Sequence, residues 1–482
     1  MTPEHQKGLT FSIREGLCIE HKPEPCGIVI FGASGDLTSR KLLPSIAYLS
    51  SKGLLPKRSF VLGVARTALS PDEFRARAKG VENVYYMYGS YENPDFFLAL
   101  KARLQELDAR HETGGRLLFH LAVPPPLYPA IVEQLGRAGL LEGCVSGGCS
   151  RVVIEKPFGR DLESARALDA QLKRRLREEQ VYRIDHYLGK ETVQNVLMFR
   201  FANAIFEPVW NRTYVDHVQI SVLENAGVEH RAGYYDGSGV VRDMFQNHML
   251  MLLALIAMEP PASFEADRVR DEVVKVFRNL RPLAGRDLED HVVLGQYEGY
   301  RLEPGVASSS STPTFAAMRL DVDDWRWSGV PFYLRSGKRL CCRSTEVAVV
   351  FKQVPHSLFS PLLPEHLAEN ALVFRIQPNE GISLTIEAKK PGPKICLGAL
   401  TMDFDYAEAF GERPPEAYQR LLLDAMLGDP TLFLRQDAVE ETWRFCEPLL
   451  KTGDIKLEPY ATSSEGPEAA QRLIARFGRR WR

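Results

Sequence analysis

The chain has 482 residues, 45% hydrophobic and 25% charged, with 60 basic side chains against 62 acidic ones for a net charge of −2. A length of this order predicts two domains, because single cores stop growing well short of it. The balanced charge excludes a global positive field that would draw in nucleic acid or an acidic membrane, so any anion binding must be local.

The opening stretch MTPEHQKGLTFSIREGL carries scattered charges and no apolar run, which predicts no secretory signal. From residue 26 the pattern alternates in period. GIVIFG (27–32) is a continuous apolar run suited to a strand buried on both faces, and the apolar stripe of Leu42, Leu43, Ile46, Ala47 and Leu49 predicts a helix over 37–52. FVLGVA (60–65) predicts a second strand, and Ser70-Pro71-Asp72 opens the next helix with a capping residue and a proline at its first position. VYYMYG, LLFHLAV and RVVIEK predict further strands, separated by helices near 93–111, 126–138 and 161–179. This rhythm predicts a Rossmann-like, doubly wound parallel sheet over residues 26–183, after an N-terminal extension of residues 1–25. Beyond it, HVQISVLE, EVAVVFKQV and GISLTIEAKK predict a larger α+β domain, 184–482, with a mostly antiparallel sheet. MLMLLALIAM (249–258) is too short to span a bilayer and predicts a buried helix, while VASSSSTPTF (306–315) predicts a surface loop. The eight cysteines show no metal-ligand spacing; Cys341 and Cys342 are adjacent and ill suited to a disulfide, and the others read as small core residues. Together these features predict a reduced, cytoplasmic enzyme without metal.

The first strand runs into GASGDLTSRKLLP. Gly32 and Gly35 stand where a tight strand-to-helix turn brings backbone N–H groups against a pyrophosphate, with Thr38 at the third fingerprint position in place of Gly or Ala. A glycine-rich turn of any α/β sheet is the plain alternative. At the end of the second strand, where an NAD site usually places an acidic residue, stands Arg66. A guanidinium suits a 2′-phosphate, with Ser39, Arg40 and Lys41 available from the first turn, so NADP is favoured over NAD, which remains a weaker alternative.

Two further stretches carry chemistry. RVVIEKPFG puts Lys156 at the carboxyl edge of the sheet, before a proline whose peptide bond is a candidate for the cis form; a snorkelling surface lysine is the plain alternative. RIDHYLGKE (183–191) holds Asp185, His186, Tyr187 and Lys190. His186, Tyr187 and Lys190 can all donate to one dianion, whereas Asp185 would repel it and needs another partner. His248, on a helix with an almost wholly apolar continuation, is that candidate: a carboxylate holds an imidazole in one tautomer and stabilises the imidazolium after proton uptake.

The stretches GASGDL, EKPFG, RIDHYLGKE, GYYDGSGVVRDMFQNH, TPTFAAMRL, WRWSGVPFYLRSGKRL and RIQPNEG, in that order, resemble the glucose-6-phosphate dehydrogenase family from Gly27 to about residue 445. The resemblance implies oxidation of the C1 hydroxyl of glucose 6-phosphate with hydride transfer to NADP, in a homodimer or homotetramer. It implies His248 as base and Asp185 as its carboxylate, with His186, Tyr187 and Lys190 on the phosphate. Lys156 would touch both sugar and cofactor, and Glu224, Asp243, Lys338, Arg343 and Gln377 would supply further substrate contacts. On the cofactor side it implies Gly32, Ala33, Ser34, Gly35, Asp36, Leu37, Ser39, Lys41, Arg66 and Tyr128. Ser39 departs from the basic residue of many members. Ser344 and Ala348, despite Arg375, depart from the extra basic residues that hold a second, structural NADP in animal forms. Two other readings stay open: a binding protein without catalysis, which the presence of His248 and Asp185 disfavours, and an oxidoreductase for a neutral hexose, which would leave the cationic cluster unmatched.

Overall fold

The computed structural model describes residues 22–141, 150–356, 358, 367–393, 396–411, 414–451 and 455–482. Short apolar runs flanked by turns form strands covered on both faces. β1 (Cys26–Phe31), β2 (Ser59–Ala65), β3 (Val84–Tyr88), β4 (Leu117–Leu121), β5 (Arg151–Ile154) and β6 (Val181–Ile184) pair in parallel in the spatial order 6-5-4-1-2-3. The strand order reverses between β1 and β4, and such a switch point leaves a crevice beyond the carboxyl ends of the strands. Gly32 lies in that crevice at φ +82°, and a Cβ there would sit 2.1 Å from the Ala122 carbonyl that follows β4. Only glycine accepts both constraints.

The connecting helices follow the sequence signals. Ser70 caps Pro71–Arg77 as expected: its hydroxyl accepts the Glu73 N–H at 3.2 Å while Glu73 accepts the Ser70 N–H at 2.7 Å. The helix expected over 161–179 ends at Leu172, and a short turn at Glu178–Gln180 follows. There Gln180 is buried and donates to the carbonyls of Leu141 and Ser150, a tertiary demand that ends the helix early. Ser310 and Thr314 are buried within the stretch expected as a surface loop, because Asp236 and the Tyr297 N–H recruit their hydroxyls. Cys26 and Cys446 are core residues, but Cys396 is exposed just before the edge strand of the second sheet. Cys18, Cys144 and Cys149 lie outside the described residues.

The second sheet has nine strands. β7 (Val215–Leu223), β8 (Val292–Tyr297), β9 (Phe315–Asp321), β10 (Pro331–Gly337), β11 (Ser344–Phe351), β12 (Ala371–Gln377), β13 (Gly381–Lys389) and β14 (Leu397–Asp405) take the order 14-13-12-11-7-10-9-8, and Leu457–Tyr460 closes the far edge. Its pairings are antiparallel except β7 with β10 and β8 with Leu457–Tyr460. Against it packs the helical stretch Ala232–Ala257, kinked at Gly239. By length and composition that stretch could cross a membrane, yet 94% of its apolar window is buried inside the protein. Its last carbonyls are satisfied by buried donors: Trp210 to Ile256 and Trp327 to Ala257, each at 2.8 Å, and Arg200 to Leu255 and Met258.

Residues far along the chain complete the first sheet. Phe433–Leu434 adds an antiparallel strand beside β6, and the helix Ala417–Leu427 buries Leu421, Leu422, Ala425 and Met426 against Ile28, Ile30, Leu43 and Ile46. Leu421→Ala therefore leaves a hole in the nucleotide-domain core and is expected to cost about 3 kcal/mol in denaturant unfolding. A loss under about 0.5 kcal/mol, typical of a surface site, would mean that this helix is not part of that core.

Candidate active site

Asp185 follows β6 at the carboxyl edge of the first sheet, and His248 comes from the helix on the second. Both are 1% exposed. His248 Nδ1 donates to Asp185 Oδ1 at 2.5 Å, and the same oxygen accepts the Tyr187 N–H at 2.9 Å. Burial alone would raise the Asp185 carboxyl, but His248 outweighs it and holds the group at about 2. Burial pushes the His248 imidazole below its ordinary value, with Asp185 opposing and Lys156 adding to the drop. The pair is thus a carboxylate and a neutral imidazole, and His248 Nε2 keeps its lone pair. Lys156 Nζ donates to that nitrogen at 2.7 Å.

Helical winding places the next group. Val241–Met249 forms π-type turns, in which residues five apart are hydrogen-bonded neighbours. In a regular α-helix a five-residue step turns about 140° around the axis and would send Asp243 away from His248. Here Lys156 reaches both, with Asp243 Oδ1 at 3.4 Å and its carbonyl at 3.0 Å. Lys156 precedes a cis proline, and its neighbour Glu155 is gripped on three sides. His120 and Tyr418 each lie 3.0 Å from the Glu155 carboxylate, and Tyr128, wholly buried, donates to its carbonyl at 2.9 Å. Beyond Asp243 the wall is again ionic: the buried Lys338 pairs with Glu224 at 2.5 Å. Carboxylates that accept and ammonium groups that donate, set side by side, can hold several hydroxyls on one face of a polyol.

The opposite wall is cationic. Tyr187 stacks on His248 with ring centroids 4.2 Å apart, and His186 meets the same ring edge-on at 4.7 Å. Burial, with His248 and the Lys156 ammonium close by, keeps His186 well below its ordinary value. Lys190 lies over Tyr187 and donates to Gln377 Oε1 at 3.1 Å, while Gln377 donates to Thr345 at 2.9 Å. Burial lowers the Lys190 ammonium, and the charges of Arg343 and Lys41 lower it further against Glu380. A bound dianion would relieve that repulsion. Thr345 and Glu380 are additions that no local pattern singled out, although Glu380 lies inside the RIQPNEG stretch. Ligand-type atoms of Asp185, His186 and His248 lie within 4.8 Å of one another, but two of the three groups are already hydrogen-bonded together.

The glycine turn fits a dinucleotide. Thr38 is buried and its hydroxyl donates to the Gly32 carbonyl at 3.1 Å, which gives the third fingerprint position a structural use for a hydroxyl. Tyr91 accepts the Gly32 N–H at 3.0 Å and lies beneath Arg66. Ala33 is buried, Ser34 is exposed beside Thr67, and Leu37 packs inward. The other cations of the first turn point elsewhere: Arg40 pairs with Asp36 one helical turn back at 2.6 Å, and Lys41 pairs with Glu416 at 2.7 Å. The Ser39 hydroxyl is taken by the Gly35 carbonyl.

Residues 29–195 match the family model described as "Glucose-6-phosphate dehydrogenase, NAD binding domain", and residues 197–482 match "Glucose-6-phosphate dehydrogenase, C-terminal domain". The chain is 47% identical to the glucose-6-phosphate 1-dehydrogenase of Aggregatibacter actinomycetemcomitans, over 96% of this chain and 98% of that one. It is 46% identical to the Treponema pallidum enzyme of the same name, over 94% of each. A solved glucose-6-phosphate dehydrogenase in complex with its substrate glucose-6-phosphate superimposes with a TM-score of 0.88 at 33% identity, covering 96% of this chain and all of that one. The Mycobacterium avium enzyme superimposes with a TM-score of 0.82 at 36% identity, covering 96% and 99%.

The pair's electrostatics are open to NMR titration. His248 is expected to titrate below the ordinary histidine range. Asp185→Asn should lower its midpoint further, because the carboxylate favours the imidazolium, and Lys156→Met should raise it by removing a repelling charge. A midpoint that ignores both changes would place the ring outside this cluster.

Proposed function

The chain belongs to the glucose-6-phosphate dehydrogenase family, and from that premise we propose that it oxidises the C1 hydroxyl of D-glucose 6-phosphate to 6-phospho-D-glucono-1,5-lactone, with the hydride passing to NADP. This is the first step of the oxidative pentose phosphate pathway. The observation that carries the reading is the buried Asp185–His248 pair, whose Nε2 lies between a wall of paired carboxylates and ammonium groups and a wall that carries Lys190.

His248 takes the C1 hydroxyl proton at Nε2, and Asp185 stabilises the imidazolium that results. To reach that nitrogen the hydroxyl displaces the Lys156 ammonium, which stays near through Asp243. Glu224, Asp243 and Lys338 hold sugar hydroxyls, and His186, Tyr187, Lys190, Arg343 and Gln377 take the phosphate. A bound nicotinamide dinucleotide supplies the hydride acceptor. Gly32 lets it approach the backbone, and Lys156 stands at the strand edge that its reactive ring would face. Arg66, where an acidic residue would suit NAD, supports NADP. A homodimer or homotetramer fits the exposed edge strand β14, where Leu400 and Met402 are about half exposed. The unpaired thiols of the five described cysteines support a reducing, cytoplasmic setting.

His248→Asn is expected to cut kcat by roughly 10²–10⁴-fold with little change in substrate binding, as for loss of a general base; near-normal turnover would place the base elsewhere. Lys190→Ala should chiefly raise KM for glucose 6-phosphate and leave the weak rate with glucose alone. Equal losses on both sugars would remove Lys190 from the phosphate site.

A further inference from the structure

The first turn and the second strand meet at a small polar spot. The Ser34 hydroxyl lies 3.3 Å from that of Thr67, and Tyr86 donates to the Thr67 carbonyl at 2.6 Å. Two guanidinium groups flank this spot. Arg66 immediately precedes Thr67 and lies over the Tyr91 ring. Arg77, at the end of the helix Pro71–Arg77, reaches back to the Ser34 carbonyl at 3.4 Å. That return is set by packing. Phe74 is wholly buried on Gly63, where a Cβ would lie 2.4 Å from its ring, and Ala33 lies beside it. The helix is thereby drawn against the glycine turn, and its last residue ends beside Ser34.

The neighbouring arginines have partners: Arg40 pairs with Asp36 and Arg75 with Asp72. Among the described residues neither Arg66 nor Arg77 has a carboxylate within ion-pair distance, and Glu73, the acid nearest Arg77 along the helix, is engaged in capping Ser70. Two unpaired guanidinium groups and two hydroxyls around one point match a phosphate monoester, which offers three acceptor oxygens and up to two charges. A ribose 2′-hydroxyl in the same place would need neither cation.

We infer that Arg77 is a cofactor-specificity residue, which clasps the 2′-phosphate of NADP opposite Arg66 over the hydroxyls of Ser34 and Thr67. The inference rests on the NADP reading above and names the residue that sequence position did not disclose. Arg40 and Lys41, the cations offered by the first turn, are committed to Asp36 and Glu416.

Calorimetric binding of 2′,5′-ADP and of 5′-AMP to the full chain separates the possibilities without turnover. Arg77→Ala should weaken 2′,5′-ADP about tenfold, as for loss of one charge-assisted contact, and leave 5′-AMP unchanged. Arg77→Lys should recover part of the difference, and Arg75→Ala should change neither ligand. The ratio of kcat/KM for NADP over NAD should fall in parallel. If Arg77→Ala leaves the wild-type preference for 2′,5′-ADP intact, the assignment is overturned and the NADP reading stands. If it weakens both ligands equally, Arg77 merely props the Ser34 turn, and the assignment is again overturned. If the wild-type chain binds 2′,5′-ADP no better than 5′-AMP, the NADP reading itself falls.

Discussion

A buried carboxylate beside a buried imidazole, 2.5 Å apart and both 1% exposed, is the constraint around which the molecule is arranged. The carboxylate does not tolerate that burial alone, since a charge stripped of water and of its partner costs several kcal/mol. The pair exists only if the edge of one sheet meets a helix lying on another. Asp185 therefore ties the nucleotide half of the chain to the substrate half. The stretch RIDHYLGKE, which crosses from one to the other, is accordingly buried for most of its length.

The surrounding charges grade the cleft. On one side Glu224, Lys338, Asp243 and Lys156 alternate in sign, so each is compensated before any ligand arrives. On the other side Lys190 is lowered by burial and by the neighbouring charges of Arg343 and Lys41, which together outweigh Glu380. Such a gradient orients a molecule with hydroxyls at one end and a dianion at the other. A sugar phosphate bound with its phosphate at the cationic end would present its far carbon to His248. Lys156 stands between the two regimes, held by three contacts on its neighbour Glu155.

Topology explains why the dinucleotide and the base share one space. The order reversal between β1 and β4 opens the crevice, Gly32 lines it, and β5, two strands from the glycine turn, leads into Lys156. Helix 417–427 and the strand 433–434 brace this edge from the other end of the chain. The nucleotide-binding sheet is thus completed by segments that follow the strands of the second sheet along the chain.

Local physics made much of this legible in the chain alone. Continuous apolar runs, a Ser-Pro capping signal and a glycine turn depend on neighbours a few residues away, so the doubly wound sheet and its strand-to-helix glycine turn could be read directly. The RIDHYLGKE and RDMFQNH stretches carried the site's residue types and its family. What tertiary structure decided were relations across long separations. These include Lys156 reaching both Asp243 and His248, Gln377 donating to Thr345, and Tyr418 reaching Glu155. They also include the choice of Arg77 over Arg40 and Lys41 beside Ser34. Each depends on which surfaces pack together, and residues tens or hundreds of positions apart become neighbours only when burial brings their elements into contact.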